Sequence, residues 1–154
     1  KINSLDLKKI DLLICKGKYF DIIKKSQSRE AFFIKKKGFC FLNVDNYKKL
    51  IYRGLTPPHQ TTLFNGNSEI FLERYNEKFK IASDLELFCR IAKYKSLSLA
   101  NLSLNIVSIS TGGISEIKYF SKFKEVFLCY FKHFKFRFIF PLFCRYYFKV
   151  RNLK

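Results

Sequence analysis

The sequence predicts an α/β fold followed by a basic aromatic helical tail. Short apolar runs that end at a turn residue, such as the run that ends at Cys15 before Gly17, predict buried strands. Ser83-Asp-Leu-Glu opens an amphipathic helix, and aromatic residues at three- and four-residue spacings after Ser115 predict further helices. A chain of 154 residues with 48% hydrophobic content has the size of one domain with an ordinary core.

The first third of the chain is predicted to form mainly strands. Asp11-Leu-Leu-Ile-Cys is an apolar run that a glycine turn closes, and a second strand is expected from Lys18 to Ile23. The polar stretch 24–31 predicts a loop. Two further β-type runs and one helical turn are expected, at 31–34, 39–42 and 47–52.

Prolines and capping residues determine the elements predicted for the middle of the chain. Thr56-Pro-Pro predicts extended backbone, because a residue before proline is disfavoured in the helical region, and a strand is expected over 59–64. Asn67 and Ser68 are suitable N-cap residues for a short helix over 69–75.

The second half is predicted to contain one strand among several helices. Ser83-Asp-Leu-Glu is a capping box, with Ser83 as N-cap of a helix that continues to about Lys95. Leucine and isoleucine alternate with small polar residues over 97–110, which predicts a half-buried, edge-like strand, and Thr111-Gly-Gly predicts a turn. One or two helices are expected up to Pro141 and another beyond it.

The charge and the cysteines restrict the class of partner and site. The net charge of +18 predicts an anionic partner, either nucleic acid, an anionic membrane face or a phosphorylated substrate. No run approaches the ~18 apolar residues that a spanning helix needs, so no crossing of a bilayer is expected. The cysteines are odd in number and lack a Cys-x-x-Cys pair, which indicates neither a disulfide framework nor a zinc site and favours a reducing cytosol: Cys15, Cys40, Cys89, Cys129 and Cys144.

Three sequence blocks occur in a fixed order: Pro-Pro-His-Gln-Thr-Thr-Leu-Phe at 57–64, the segment 75–91 with Ser83-Asp84, and Gly-Gly-Ile-Ser at 112–115. In this order and spacing they resemble the acceptor-side half of family-2-type glycosyltransferases, and a further match at 11–20 resembles the strand before that half. The resemblance implies the C-terminal part of an A-type glycosyltransferase fold, a mixed sheet flanked by helices. It also implies transfer of a sugar from a nucleotide-diphosphate sugar to a saccharide or lipid-linked acceptor. Cell-surface polysaccharide or glycolipid synthesis is the expected setting.

Asp84 is the candidate catalytic residue. Inverting glycosyl transfer needs a carboxylate beside the acceptor hydroxyl to take its proton, and the resemblance places that base at the start of a helix, usually as Glu-Asp, where this chain has Ser83-Asp84. The alternative is structural, with Ser83 capping the helix and Asp84 offsetting its dipole. Arg90 is expected to pair with Glu86 at four-residue spacing, and contact with a phosphate is the alternative role.

The remaining candidate residues are implied as substrate-binding by the resemblance. His59 and Gln60 would contact donor sugar or acceptor, whereas a single histidine is also often a hydrogen-bonded structural residue. Gly112, Gly113 and Ser115 would lie near the diphosphate, since two glycines let backbone N–H groups approach an anion. A plain turn after a strand would have the same sequence.

The metal site of the family is not expected in this chain. The resemblance implies a divalent cation, Mg²⁺ or Mn²⁺, held by an Asp-x-Asp pattern in an N-terminal nucleotide-binding portion. Phe41-Leu-Asn-Val-Asp-Asn-Tyr is similar to that pattern, but Asn46 replaces the second acid and only 13 residues separate Asp45 from His59. The chain starts at Lys1, so we expect a fragment that lacks the nucleotide-binding portion and is inactive alone.

The domain division expected from the sequence is an acceptor-side portion at 1–115 and a basic amphipathic tail at 116–154. The tail holds ten Lys or Arg, two Glu and 14 of the 28 aromatic residues. This composition favours a peripheral position on the cytoplasmic face of an anionic membrane. It also suits single-stranded nucleic acid, which is less expected because no recognised nucleic-acid motif is present, or an ordinary helical pack. A basic nucleic-acid-binding module and an inactive membrane-associated remnant are therefore the alternative functions.

Overall fold

The structure is a computed structural model that describes residues 9–21, 25–110 and 119–151. These residues form a five-stranded mixed sheet and four α-helices, so the predicted mixed α/β class is confirmed. The strands are β1 Leu12–Asp21, β2 Ser26–Ala31, β3 Phe39–Leu42, β4 Thr62–Phe64 and β5 Leu99–Ser110. The helices are α1 Val44–Tyr52, α2 Ser83–Ile91, α3 Tyr119–Phe134 and α4 Ile139–Arg151, with 3-10 turns at His59–Thr61, Glu69–Leu72 and Lys135–Arg137.

Two long parallel strands, β1 and β5, form the centre of the sheet. On the side of β1 away from β5, two strands pair with it. The first residues of β1 pair antiparallel with β4, and its last five residues pair antiparallel with β2. β3 pairs antiparallel with the start of β5. The expectation of an edge-like strand over 97–110 is therefore wrong for residues 99–102, which lie between two strands; only the later part of β5 is exposed.

Other local predictions need correction. The glycine turn expected after Cys15 is wrong, because β1 continues through Gly17 to Asp21 as one strand. The β-type run expected at 31–34 is not a strand beyond Ala31. The polar stretch 24–31 was expected to be a loop, but Ser26–Ala31 is a strand; its backbone pairs with β1, and Arg29 lies over the ring of Tyr19 at 4.4 Å. The described side chains of β2 before Ala31 are exposed, so this strand lacks the alternation of apolar and polar residues by which a half-buried strand is predicted. The expected strand 59–64 begins as a 3-10 turn, and the expected helix 69–75 is a 3-10 turn over Glu69–Leu72.

Helix α3 is part of the hydrophobic core. Its Val126, Cys129 and Tyr130 are buried in the same cluster as Phe88 of α2 and Tyr47 of α1. The hydroxyl of Tyr47 donates a hydrogen bond to the carbonyl oxygen of Phe88 at 3.3 Å, which joins α1 to α2. The first tail helix thus packs directly beneath the helix that carries Asp84.

The break between the last two helices lies before Pro141. Lys135 has a φ of 49°, a left-handed conformation that ends α3, and α4 begins at Ile139. Pro141 therefore occupies the first turn of α4, where its missing N–H removes no helical hydrogen bond. Among the described residues, none of the helices combines the length and the apolar character needed to span a bilayer.

Gly54 sets the contact between the turn after α1 and α4. Its φ is +75°, and a Cβ atom there would lie 2.6 Å from the carbonyl oxygen of Pro141 and 2.7 Å from the backbone nitrogen of Arg145. Arg145 also donates from Nη1 to the carbonyl oxygen of Gly54 at 3.1 Å. Only glycine permits both the conformation and this backbone contact.

Replacing Gly54 by alanine should therefore combine two costs. The left-handed conformation costs about 1–2 kcal/mol for a residue with a Cβ atom, and the clash with α4 adds about 1–3 kcal/mol. Gly38 is the matched control, because it has the same φ of +75° and nothing within 4 Å of an added Cβ. Urea unfolding should show a clearly larger loss for Gly54→Ala than for Gly38→Ala. Equal losses would contradict the packing of α4 on this turn.

Candidate active site

The N-terminus of α2 is capped from another part of the chain. The helix begins at Ser83 after Ala82, which makes no side-chain cap, so the predicted N-cap role of Ser83 and its capping box are wrong. Oε2 of Glu125, on α3, instead accepts hydrogen bonds from the backbone N–H groups of Ile81 at 2.7 Å and Ala82 at 2.8 Å. A carboxylate from α3 thus accepts the N–H groups of the two residues that precede α2.

Asp84 lies in the first turn of α2 with its side chain half-exposed. Its Oδ1 is 3.9 Å from Nδ1 of His59, which is longer than a hydrogen bond but within ion-pair distance. The two side chains are 49% and 37% exposed, so solvent and a substrate both have access to the carboxylate. The structure therefore brings together two of the sequence-predicted site residues from segments 25 positions apart.

Tyr75 is a third member of this group and was not identified from the sequence. Its hydroxyl hydrogen-bonds Nε2 of His59, and the two rings pack edge to face with centroids 5.6 Å apart. Burial and then the Asp84 carboxylate raise the pKa of Tyr75 to about 12, so its hydroxyl stays protonated. In the tautomer with a proton on Nδ1, His59 directs its N–H towards Asp84 and accepts the Tyr75 hydroxyl at Nε2.

The backbone that presents His59 is fixed to β1. The buried hydroxyl of Thr61 is shared between the carbonyl oxygens of Cys15 at 2.9 Å and Pro58 at 3.1 Å, and that of Thr62 donates to Pro58 at 2.8 Å. Gly17 of β1 permits this approach, because a Cβ atom there would lie 2.8 Å from the methyl group of Thr61. His59 thus projects from a rigid turn.

Of the other predicted site residues, the structure describes only Gln60. Gln60 is exposed beside His59. Gly112, Gly113 and Ser115 fall in 111–118, outside the described residues. Their assignment near a diphosphate stays a prediction.

A buried carboxylate, Glu86, lies two residues after Asp84 on α2. It accepts hydrogen bonds from Nε of Arg90 at 2.8 Å and from Nζ of Lys132 on α3 at 2.6 Å, and Nδ2 of Asn76 lies 3.5 Å away. The predicted pair of Arg90 with Glu86 is confirmed. Arg90 also bonds the carboxylate of Glu73, which accepts a hydrogen bond from the hydroxyl of Tyr94 at 2.9 Å.

The cations around Glu86 keep it ionised. Burial alone would raise the pKa of Glu86, but the hydrogen bonds and charges of Lys132 and Arg90 outweigh it and lower the pKa to about 2. The network connects α2, α3 and the segment of Glu73 and Asn76 that flanks Tyr75. Asp84 and Tyr75 are therefore both positioned by residues bonded to one buried network.

The described residues contain no group of three His, Cys, Asp or Glu side chains suited to a metal ion. Asp45, in the segment similar to an Asp-x-Asp pattern, lies in the first turn of α1, and its backbone N–H donates to Oδ1 of Asn43 at 2.7 Å. Asn43 is thus the N-cap residue of α1. The predicted divalent cation has no ligand set in the described part of the chain.

Comparison with known proteins gives no relative: no family model, curated protein or solved structure matches this chain. Function is therefore inferred from the site geometry and from the sequence resemblance.

The Glu86 network gives a pH dependence with a definite sign. Because the folded pKa of Glu86 is lowered, its contribution is complete above the unfolded value near 4.5 and is lost as the pH falls towards 2. The shift corresponds to about 3 kcal/mol of stability. We expect Glu86→Gln to lower the free energy of unfolding at pH 7 and to remove most of this acid-dependent loss, as measured by urea unfolding from pH 7 to 2.

The exposed Glu77 provides the control for this experiment. Glu77→Gln removes the same charge and should keep both the stability at pH 7 and the acid-dependent loss. Parallel pH curves for the protein and for Glu86→Gln would contradict the ionised buried network.

Proposed function

We propose that this chain is the acceptor-side part of an inverting glycosyltransferase that transfers a sugar from a nucleotide-diphosphate sugar to a saccharide or lipid-linked acceptor. The observation that carries the proposal is the accessible Asp84 carboxylate at the start of α2, 3.9 Å from the His59 imidazole. The sequence blocks that resemble family-2-type glycosyltransferases supply the reaction class. Cell-surface polysaccharide or glycolipid synthesis is the proposed setting.

In the proposed reaction Asp84 is the general base. One carboxylate oxygen takes the proton of the acceptor hydroxyl as that oxygen attacks the anomeric carbon, and the bond from this carbon to the diphosphate breaks with inversion. His59 and Tyr75 act as positioning residues, since both ring nitrogens of His59 face protein groups. Gln60 would contact the sugar or acceptor, while Gly112, Gly113 and Ser115 would lie near the diphosphate.

A purely structural role for Asp84 explains less of the geometry. Glu125 already accepts the free backbone N–H groups before α2, so the helix does not depend on Asp84 for its cap. A carboxylate that only offset the helix dipole would not need an imidazole and a phenol beside it. This arrangement favours a chemical role for Asp84.

The last two helices support a peripheral position on the cytoplasmic face of a membrane. Their exposed side chains combine aromatic and aliphatic groups with lysine and arginine, a composition that suits the headgroup region of an anionic bilayer. Phe136 is 89% exposed and Phe143 68%. Other exposed members of this aromatic face are Tyr119, Phe120, Phe123, Phe131, Ile139, Phe140, Tyr147 and Val150.

Replacing Asp84 by asparagine tests the proposed base directly. In the intact protein, with labelled nucleotide-diphosphate sugars and membrane lipid extract as acceptor, we expect Asp84→Asn to lower kcat by about 10²- to 10⁴-fold, because proton removal is lost. The exposed Asp45 is the matched control, and Asp45→Asn should keep the rate within twofold. An unchanged rate for Asp84→Asn would refute the assignment, and no transfer by the unaltered protein would favour the inactive remnant.

The proposed membrane-binding surface of the protein can be tested separately. Phe136→Ser combined with Phe143→Ser should lower binding to anionic vesicles at least tenfold, since each buried ring contributes about 1.5–3 kcal/mol. Phe71→Ser, at a ring that is 57% exposed on another surface, is the control and should bind as the unaltered chain does. Cosedimentation with vesicles measures both.

The nucleic-acid alternative gives the opposite outcome. A module that binds RNA through its +18 charge would lose RNA affinity steeply with salt and would not sediment with vesicles. That pair of results would contradict the membrane proposal and favour the alternative.

A further inference from the structure

The C-terminal ends of α1, α2 and α3 meet at a cleft away from Asp84. The cleft has a volume of about 510 Å³. Its walls include the apolar side chains of Ile51, Tyr52 and Phe134. Asp84 lies in the first turn of α2, whereas the cleft is lined by Cys89 and Lys93 at the other end of this helix, about 8–13 Å further along its axis.

Four cationic side chains line this cleft: Lys48 and Lys49 from α1, Lys93 after α2, and Arg137 from the turn after α3. None of the four has an ion pair with another described residue. The negative ends of three helices supply roughly −0.5 charge each, which offsets less than half of the four positive charges. The cleft therefore keeps an excess of positive charge.

A buried histidine points to a ligand at the same place. The side chain of His133 lines the cleft and is 2% exposed. Its Nε2 faces Oε1 of Glu86 at 3.4 Å, whereas its Nδ1 has no hydrogen-bond partner among the described residues. With its proton on Nε2, facing the Glu86 carboxylate, the neutral ring has Nδ1 as an acceptor. A buried polar group without a partner costs about 1–3 kcal/mol, so a ligand group that donates a hydrogen bond to Nδ1 would remove this cost.

We propose that this cleft binds a phosphate-bearing ligand that also carries an apolar or aromatic group. The phosphate would lie among Lys48, Lys93 and Arg137, with a P–O–H group of its monoanion donating a hydrogen bond to Nδ1 of His133. The apolar group would pack against Tyr52 and Phe134. The site is separate from Asp84 and does not depend on the proposed sugar transfer.

The experiment must distinguish specific binding in the cleft from non-specific electrostatic attraction of phosphate to a basic chain. Binding of phenyl phosphate and of inorganic phosphate is measured by calorimetry for the unaltered chain and for two double variants. Lys48→Gln with Lys93→Gln removes two cleft charges, and Lys36→Gln with Lys37→Gln removes two charges from an exposed loop. Unfolding midpoints of both variants confirm that they remain folded.

We expect one saturable site for phenyl phosphate, at least tenfold weaker in the cleft variant and within twofold of unaltered in the loop variant. Inorganic phosphate should bind several-fold more weakly than phenyl phosphate, because it has no apolar group. Equal losses in the two variants, absence of saturation, or equal affinity for the two probes would each overturn the proposal.

A further experiment distinguishes a lipid headgroup from a soluble phosphate ester as the natural ligand. Phosphatidylcholine vesicles containing phosphatidic acid are compared with a soluble short-chain phosphatidic acid. If the cleft variant loses affinity for both, the site accepts a lipid headgroup; if it loses only soluble ligands, the natural ligand is a soluble phosphate ester. Phe136→Ser with Phe143→Ser should leave phenyl phosphate affinity unchanged, and a loss there would contradict a site separate from the aromatic face.

Discussion

The ionised Glu86 carboxylate, buried beneath α2, is the interaction on which the candidate site depends. It is fully buried and is stable there only because Arg90 and Lys132 supply hydrogen bonds and positive charge. Those two cations belong to different elements, so one buried charge fixes α2 against α3. Arg90 extends the same network to Glu73, which connects the segment before Tyr75.

The last helices support the candidate site and also form the proposed membrane-binding surface. Glu125 caps α2 and Lys132 neutralises Glu86, and both residues come from α3. A change in α3 would therefore be expected to move Asp84 relative to His59. The same helix exposes aromatic side chains on its other face, so binding at that face would act on an element packed against α2.

The parts of this structure that the sequence predicts are those with local causes. The amphipathic pattern predicts α2, and four-residue spacing predicts the pair of Glu86 and Arg90. The Glu125 cap was not predictable, because it joins residues more than 40 positions apart and replaces a capping box that the local sequence favours. Tyr75 carries no motif, and its contact with His59 arises only from the tertiary fold. β2 was missed because its stability comes from backbone pairing with β1.

The state of the Glu86 carboxyl group is the most direct test of this account. Its side-chain ¹³C chemical shift can be followed by NMR as the pH is lowered in the folded chain. The expected result is a group that stays ionised below pH 4 and titrates with a pKa of about 2. A midpoint at the ordinary value of 4.5 would show that Arg90 and Lys132 do not keep the Glu86 carboxyl group ionised. That result would contradict the network that positions Asp84.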